Sequence, residues 1–103
     1  VKRVGIVGAG LTGGMHAERW ARLPVELAGF YTRTVAHARA AAVRYGGRAF
    51  SSLEALLSEV DVVDVCTPTL AHKDAVLAAA AGGQDVVCEK PLARHLADGQ
   101  AMV

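Results

Sequence analysis

The sequence has no long apolar run, no run of like charge and only two cysteines, and each shortage excludes something. Apolar stretches break off well short of the ~20 residues of a membrane-spanning helix. No basic, apolar, small-residue leader stands at the start, which predicts a cytoplasmic protein. Eleven basic and ten acidic residues leave a net charge of +1, too little for a nucleic-acid or membrane surface. Cys66 and Cys88 have neither CxxC spacing nor metal-ligand clusters beside them in sequence. They read as buried thiols in a reducing compartment, and no metal site is expected.

What is present is a globular composition, 52% hydrophobic and 20% charged over 103 residues. That length allows one domain with one core, spanning residues 1–103. The chain opens on Val1 and stops at Met102-Val103 inside a helical pattern, so it is expected to be one part of a longer polypeptide.

Short β-branched runs alternate with alanine-rich ones. Val4 to Val7 predicts a buried strand, Thr12 to Leu23 a helix stopped by Pro24, and Val25 to Tyr31 a second strand. A helix over His37 to Tyr45 ends at Gly46-Gly47. Arg48 to Phe50 reads as a short strand, followed by a small helix capped by Ser51 or Ser52, with Glu54 in its first turn and Leu53, Leu56 and Leu57 inward. Val62 to Cys66 is the clearest strand. Ala71 to Ala81 is a helix, Asp85 to Cys88 a fifth strand, and a last helix starts near His95. Strands apolar on both faces, separated by helices, predict a doubly wound parallel sheet in three α/β/α layers.

Three stretches carry chemistry. "VGIVGAGLTGG" places Gly8, Gly10 and Gly13 between the first strand and first helix as G-x-G-x-x-G. Gly8 permits the turn, Gly10 lets the backbone approach a pyrophosphate, and Gly13 lets the helix pack on the strand. The amides of the helix N-terminus then face the phosphate charge. At the end of the second strand, where an acid would accept the ribose hydroxyls, stand Thr32 and Arg33. A hydroxyl and a guanidinium favour NADP over NAD, with His37 and Arg39 as further positive charge; if Arg33 is a solvated loop residue, the preference is open. After the fourth strand, "CTPTLAH" puts Thr67 and Pro68 where open α/β sheets bind ligands. His72, in the first helical turn, either reaches a ligand there or is an exposed or capping residue. Asp61 is expected in solvent at the start of this strand; Asp64, if buried, needs a partner that the sequence does not name.

"GAGLTGGMH" (8–16), "YTR" (31–33), "CTPTLAH" (66–72) and "CEKPLA" (88–93), in this order, resemble the glucose–fructose oxidoreductase / inositol dehydrogenase / MocA (Gfo/Idh/MocA) family of dehydrogenases. The Glu-Lys-Pro stretch is the most specific of them. The resemblance implies a two-domain, NAD(P)-dependent enzyme acting on sugars, cyclitols or related polyols. Its N-terminal Rossmann domain would be this chain; a C-terminal substrate domain, absent here, would supply most of the substrate pocket and a homo-oligomer interface. Carried over by position, Gly8, Ala9, Gly10, Leu11, Thr12 and Gly13 match the pyrophosphate loop, and Thr32 and Arg33 the positions facing the adenosine ribose. Thr67, Pro68 and His72 match the loop lining the cofactor. Glu89 and Lys90 match the pair beside the nicotinamide, with Lys90 the catalytic candidate, and His16 fits the histidine that follows the glycine loop. The family's Asp/His arrangement lies in the domain this chain lacks, so the chain alone is expected to bind cofactor without turning over substrate.

In the whole enzyme, the Lys90 ammonium would stabilise alkoxide-like charge on a secondary alcohol as hydride leaves its carbon, with Glu89 holding the lysine. Pro91 restricts Lys90 to extended backbone, and a cis Lys90-Pro91 bond would be one way to aim it. A solvated Glu-Lys turn is the bland alternative. Two other functions compete. A non-catalytic dinucleotide module, serving redox sensing or assembly, would keep the glycine loop without needing Lys90. A dihydrodipicolinate-reductase-like enzyme is disfavoured by the Glu-Lys-Pro stretch.

Overall fold

The computed structural model describes residues 1–68, 71–88, 93 and 95–103. The elements are β1 (Arg3–Val7), α1 (Leu11–Trp20), β2 (Glu26–Tyr31), α2 (Val35–Tyr45), β3 (Arg48–Ala49), α3 (Leu53–Leu57), β4 (Val62–Val65), α4 (His72–Ala81), β5 (Asp85–Cys88) and α5 (Leu96–Met102). All strand pairs are parallel, and the sheet order is β3-β2-β1-β4-β5. The chain therefore leaves the sheet centre in one direction after β1 and returns to the other side of β1 with β4. That reversal sets the switch point at the carboxyl ends of β1 and β4, where such sheets bind ligands.

Alternation along the strands divides the core between two faces. Ile6 and Phe30 pack against Ala17 of α1 and Ala38 and Ala41 of α2. Val7, Val63 and Val65 face the other way, against Leu56 of α3 and Ala75, Val76 and Ala79 of α4, joined by Ala28 at the register shift between β1 and β2. Alanine dominates the helix side of both contacts, which brings helix backbones close to the sheet. Complete burial of a side chain such as Phe30 or Ile6, both 0% exposed, contributes roughly 1.5–3 kcal/mol each.

The differences from the sequence expectations are local. Helix α1 stops at Trp20 rather than Leu23, because the amides of Arg22 and Leu23 turn back to the carbonyls of Arg19 and Trp20. A tightened last turn of this kind lets the chain reach Pro24 without a clash. Helix α2 begins at Val35, two residues before His37. Ser52 is the cap of α3, its hydroxyl accepting from the Ala55 amide at 3.1 Å. The clearest correction concerns β5, which was expected to be covered on both faces. It is the last strand in the described order, and Val87 on it is 41% exposed. Among the described residues, no helix is long and apolar enough to cross a membrane.

Candidate functional site: a cleft at the carboxyl ends of β1, β2 and β4

A cleft of about 1440 Å³ opens along the carboxyl ends of the strands. Gly8, Ala9 and Gly10 form one wall, Thr67 and Pro68 another, and Thr32 and Arg33 close it at the end of β2. The sheet continues into these loops. Gly8 N–H donates to the Tyr31 carbonyl at 2.9 Å, and Cys66 N–H to the Val7 carbonyl at 2.8 Å.

The three loop glycines have three different physical reasons. Gly8 has φ +101°, and a Cβ there would lie 2.8 Å from the Cys66 carbonyl carbon and oxygen. Gly13 packs beneath it: its Cβ would meet the Gly8 carbonyl oxygen at 2.6 Å. Gly10 differs from both, with φ −77° and, among the described residues, nothing within 4 Å of an added Cβ. Neither backbone nor packing requires glycine there. The space over Gly10 is open to an approaching group, and α1 begins at this point with no side-chain cap and no acidic residue in its first turn. Its positive end is therefore available to an anion.

Thr67, on the opposite wall, has a buried hydroxyl with no hydrogen-bond partner among the described residues, which is costly unless another group supplies one. His72 is not among the described residues that line the cleft. It is 1% exposed, and its Nε2–H donates to the Thr67 carbonyl at 2.9 Å. Its described role is to hold the turn that presents Thr67. The Thr32 hydroxyl likewise works locally, donating to the Thr34 carbonyl, while Arg33 is exposed at the rim. His37 reaches the cleft; Arg39 is exposed and outside its described lining. Leu11, 84% exposed, borders a second cleft of about 500 Å³ between α1 and α2; Thr12 is half-buried and Gly13 buried in the first turn of α1. Glu89, Lys90 and Pro91 lie outside the described residues.

Two carboxylates escaped the sequence reading. Glu54, in the first turn of α3, and Asp74, in that of α4, both border the large cleft. Each stands in sequence as an ordinary helix-start acid, and only the sheet order turns these helix starts toward one opening.

The partner of Asp64 is the main feature that sequence left open. This residue is 0% exposed. Its Oδ2 accepts from His16 Nδ1–H and from Trp20 Nε1–H, both at 2.7 Å, and the Cys66 thiol donates to its Oδ1 at 3.3 Å. A carboxylate only accepts, so the Nδ1 of His16 carries the proton. His16, Asp64 and Cys66 thus form a cluster that their spacing in sequence conceals, with ligand atoms within 4.8 Å of one another. Cys66 and Cys88 are half-buried rather than fully enclosed.

Comparison with known proteins agrees with this geometry. The family described as oxidoreductase family, NAD-binding Rossmann fold (Gfo/Idh/MocA) matches residues 2–103. The UDP-N-acetylglucosamine 3-dehydrogenase of Acidithiobacillus ferrooxidans is 34% identical over 101 residues, covering 98% of this chain and 32% of that protein. Its solved structure matches with a TM-score of 0.92 over 98% of this chain and 33% of that one. The myo-inositol dehydrogenase of Lactobacillus casei, solved with NAD(H) and myo-inositol, matches at TM-score 0.92 and 26% identity over 99% of this chain and 32% of that one. The biliverdin reductase of Synechocystis, solved with biliverdin and NADP+, matches at TM-score 0.88 and 33% identity over 97% of this chain and 33% of that one. The chain spans about a third of the length of these relatives. It belongs to the Gfo/Idh/MocA oxidoreductase family, as its NAD-binding Rossmann domain.

Proposed function

We propose that this chain is the cofactor-binding domain of an NAD(P)-dependent oxidoreductase that acts on a secondary alcohol of a sugar, cyclitol or related polyol. The observation that carries the cofactor reading is the open space over Gly10 at the uncapped start of α1, on one cleft with Thr67, whose hydroxyl has no partner among the described residues. Those groups fit a dinucleotide. The first-turn amides after Gly10 would hold the pyrophosphate, Thr67 and Pro68 would bound the nicotinamide half, and Thr32 and Arg33 the adenosine ribose. The cleft exceeds the roughly 300–1,000 Å³ of ordinary small-ligand pockets, as an elongated cofactor requires. When bound, the nicotinamide supplies hydride chemistry; the protein positions it and handles a proton. His72 contributes through Thr67, whose carbonyl it holds.

Lys90 is our candidate for the residue nearest the alcohol oxygen, with Glu89 beside it, on the strength of the sequence stretch after β5. The substrate class rests on relatives named for UDP-N-acetylglucosamine and inositol. One relative named for biliverdin marks how far the family's substrates extend. We favour NADP because Arg33 and His37 lie at the ribose end. Glu54 and Asp74 in the same cleft are the observation favouring NAD, since carboxylates accept from ribose hydroxyls and repel a 2′-phosphate. A chain with two cysteines and no CxxC spacing supports a reducing cytoplasm as the compartment. A homo-oligomer formed through a further domain is part of the same reading.

Fluorescence titration of NADPH and NADH into the chain tests the cofactor assignment: failure of both to bind at millimolar concentration removes it. Tighter NADH binding removes the NADP preference alone, as does an Arg33→Ala variant with unchanged NADPH affinity. In the whole protein, Lys90→Ala is expected to reduce turnover far more than cofactor affinity. Unchanged turnover would favour a non-catalytic sensing or assembly module.

A further inference from the structure

Asp64 is a carboxylate at 0% exposure in a strand otherwise made of valine. Burying such a charge costs several kcal/mol, and apolar replacements of buried polar networks are often no less stable. A valine at this position would sit beside Ile6, its register partner, with no desolvation cost. Orientation, not net stability, is therefore what the carboxylate contributes.

What it orients is α1. His16 and Trp20 are four residues apart, on one helix face, and both donate to the same Asp64 oxygen. Gly13 lies one turn before His16, packed under the Gly8 carbonyl, with its Cβ position 3.7 Å from Cys66 Cβ. On the β4 side, Asp64 is followed two and three residues later by Cys66 and Thr67, and the Cys66 thiol closes onto Asp64. The cluster thus lies beneath both walls of the cleft and joins them.

We propose that Asp64 is a positioning residue for dinucleotide binding: through His16 and Trp20 it fixes α1, and with it the amides after Gly10, relative to the Thr67 hydroxyl. The proposal rests on the cofactor reading above. Its test replaces the carboxylate and both of its N–H donors with apolar groups, Asp64→Val with His16→Leu and Trp20→Phe, so that neither N–H is left without its acceptor. This triple variant is expected to keep its melting temperature while losing roughly tenfold or more in NAD(P)H affinity. His16→Asn, which keeps an N–H near the Nδ1 position, is expected to bind within about threefold of wild type, whereas His16→Leu alone loses roughly tenfold. If the triple variant fails to fold, the pair at His16 decides. Wild-type affinity in a folded triple variant, or equal affinities for His16→Asn and His16→Leu, overturns the positioning role and leaves the cofactor reading standing. A wild-type chain that binds neither nucleotide overturns the cofactor reading, and this inference with it.

Discussion

At Gly29, in β2, an added Cβ would fall on the Arg48 carbonyl oxygen of the paired strand β3, and φ is +150°. At Gly10, ahead of α1, an added Cβ would meet nothing within 4 Å among the described residues, and φ is −77°. The first glycine is demanded by the chain's own backbone, the second by nothing that the described residues supply. A glycine without an internal reason, at a helix start on a cleft, marks the place where an external group comes close. Gly8 stands between these cases: the fold demands it through φ +101° and the nearby Cys66 carbonyl, yet it also lines the cleft.

Substitutions separate these roles, and the largest effect is expected inside the sheet. Gly29→Ala should lower stability by roughly 3 kcal/mol or more, through backbone overlap and strain, read as a fall in the urea midpoint. A midpoint near wild type would mean that β3 can move away from β2 at little cost. Gly8→Ala should lose roughly 2 kcal/mol for the same two reasons, with NAD(P)H binding impaired beyond the unfolded fraction. Binding that merely tracks folding would make Gly8 a structural glycine like Gly29. Gln84→Ala, outside the described cleft lining, removes a hydrogen bond to the Leu57 carbonyl and should lose about 1 kcal/mol. Nucleotide affinity should stay at the wild-type value in this variant; a change there would show that stability alone moves binding. Gly10→Ala should change stability by no more than about 0.5 kcal/mol.

The alternation of elements was readable because each strand is a short β-branched run and each helix a longer alanine-rich one. The glycine loop was readable because its spacing coincides with a strand-to-helix junction. Other features depend on sheet order, which no local pattern encodes. Val87 looks as buried in sequence as Val63, yet its strand is at the described edge and Val63 is interior. His72 has the sequence of a helix-start residue and the environment of a core residue, because its ring folds back onto the Thr67 carbonyl. The Asp64 cluster joins residues 44 and 48 positions apart. A signal for it did exist: one acid in a valine strand, and a histidine and an indole four apart on the helix that must cover that strand.

The most direct measurement is titration of NADPH and NADH into the wild-type chain and Gly10→Ala, with thermal melts of both. The two proteins are expected to melt within about 4 °C of each other. The wild type should bind dinucleotide, and the variant should bind roughly tenfold or more weakly. Equal affinities, or a wild-type chain that binds neither nucleotide, would contradict the assignment of Gly10 and its cleft to a cofactor.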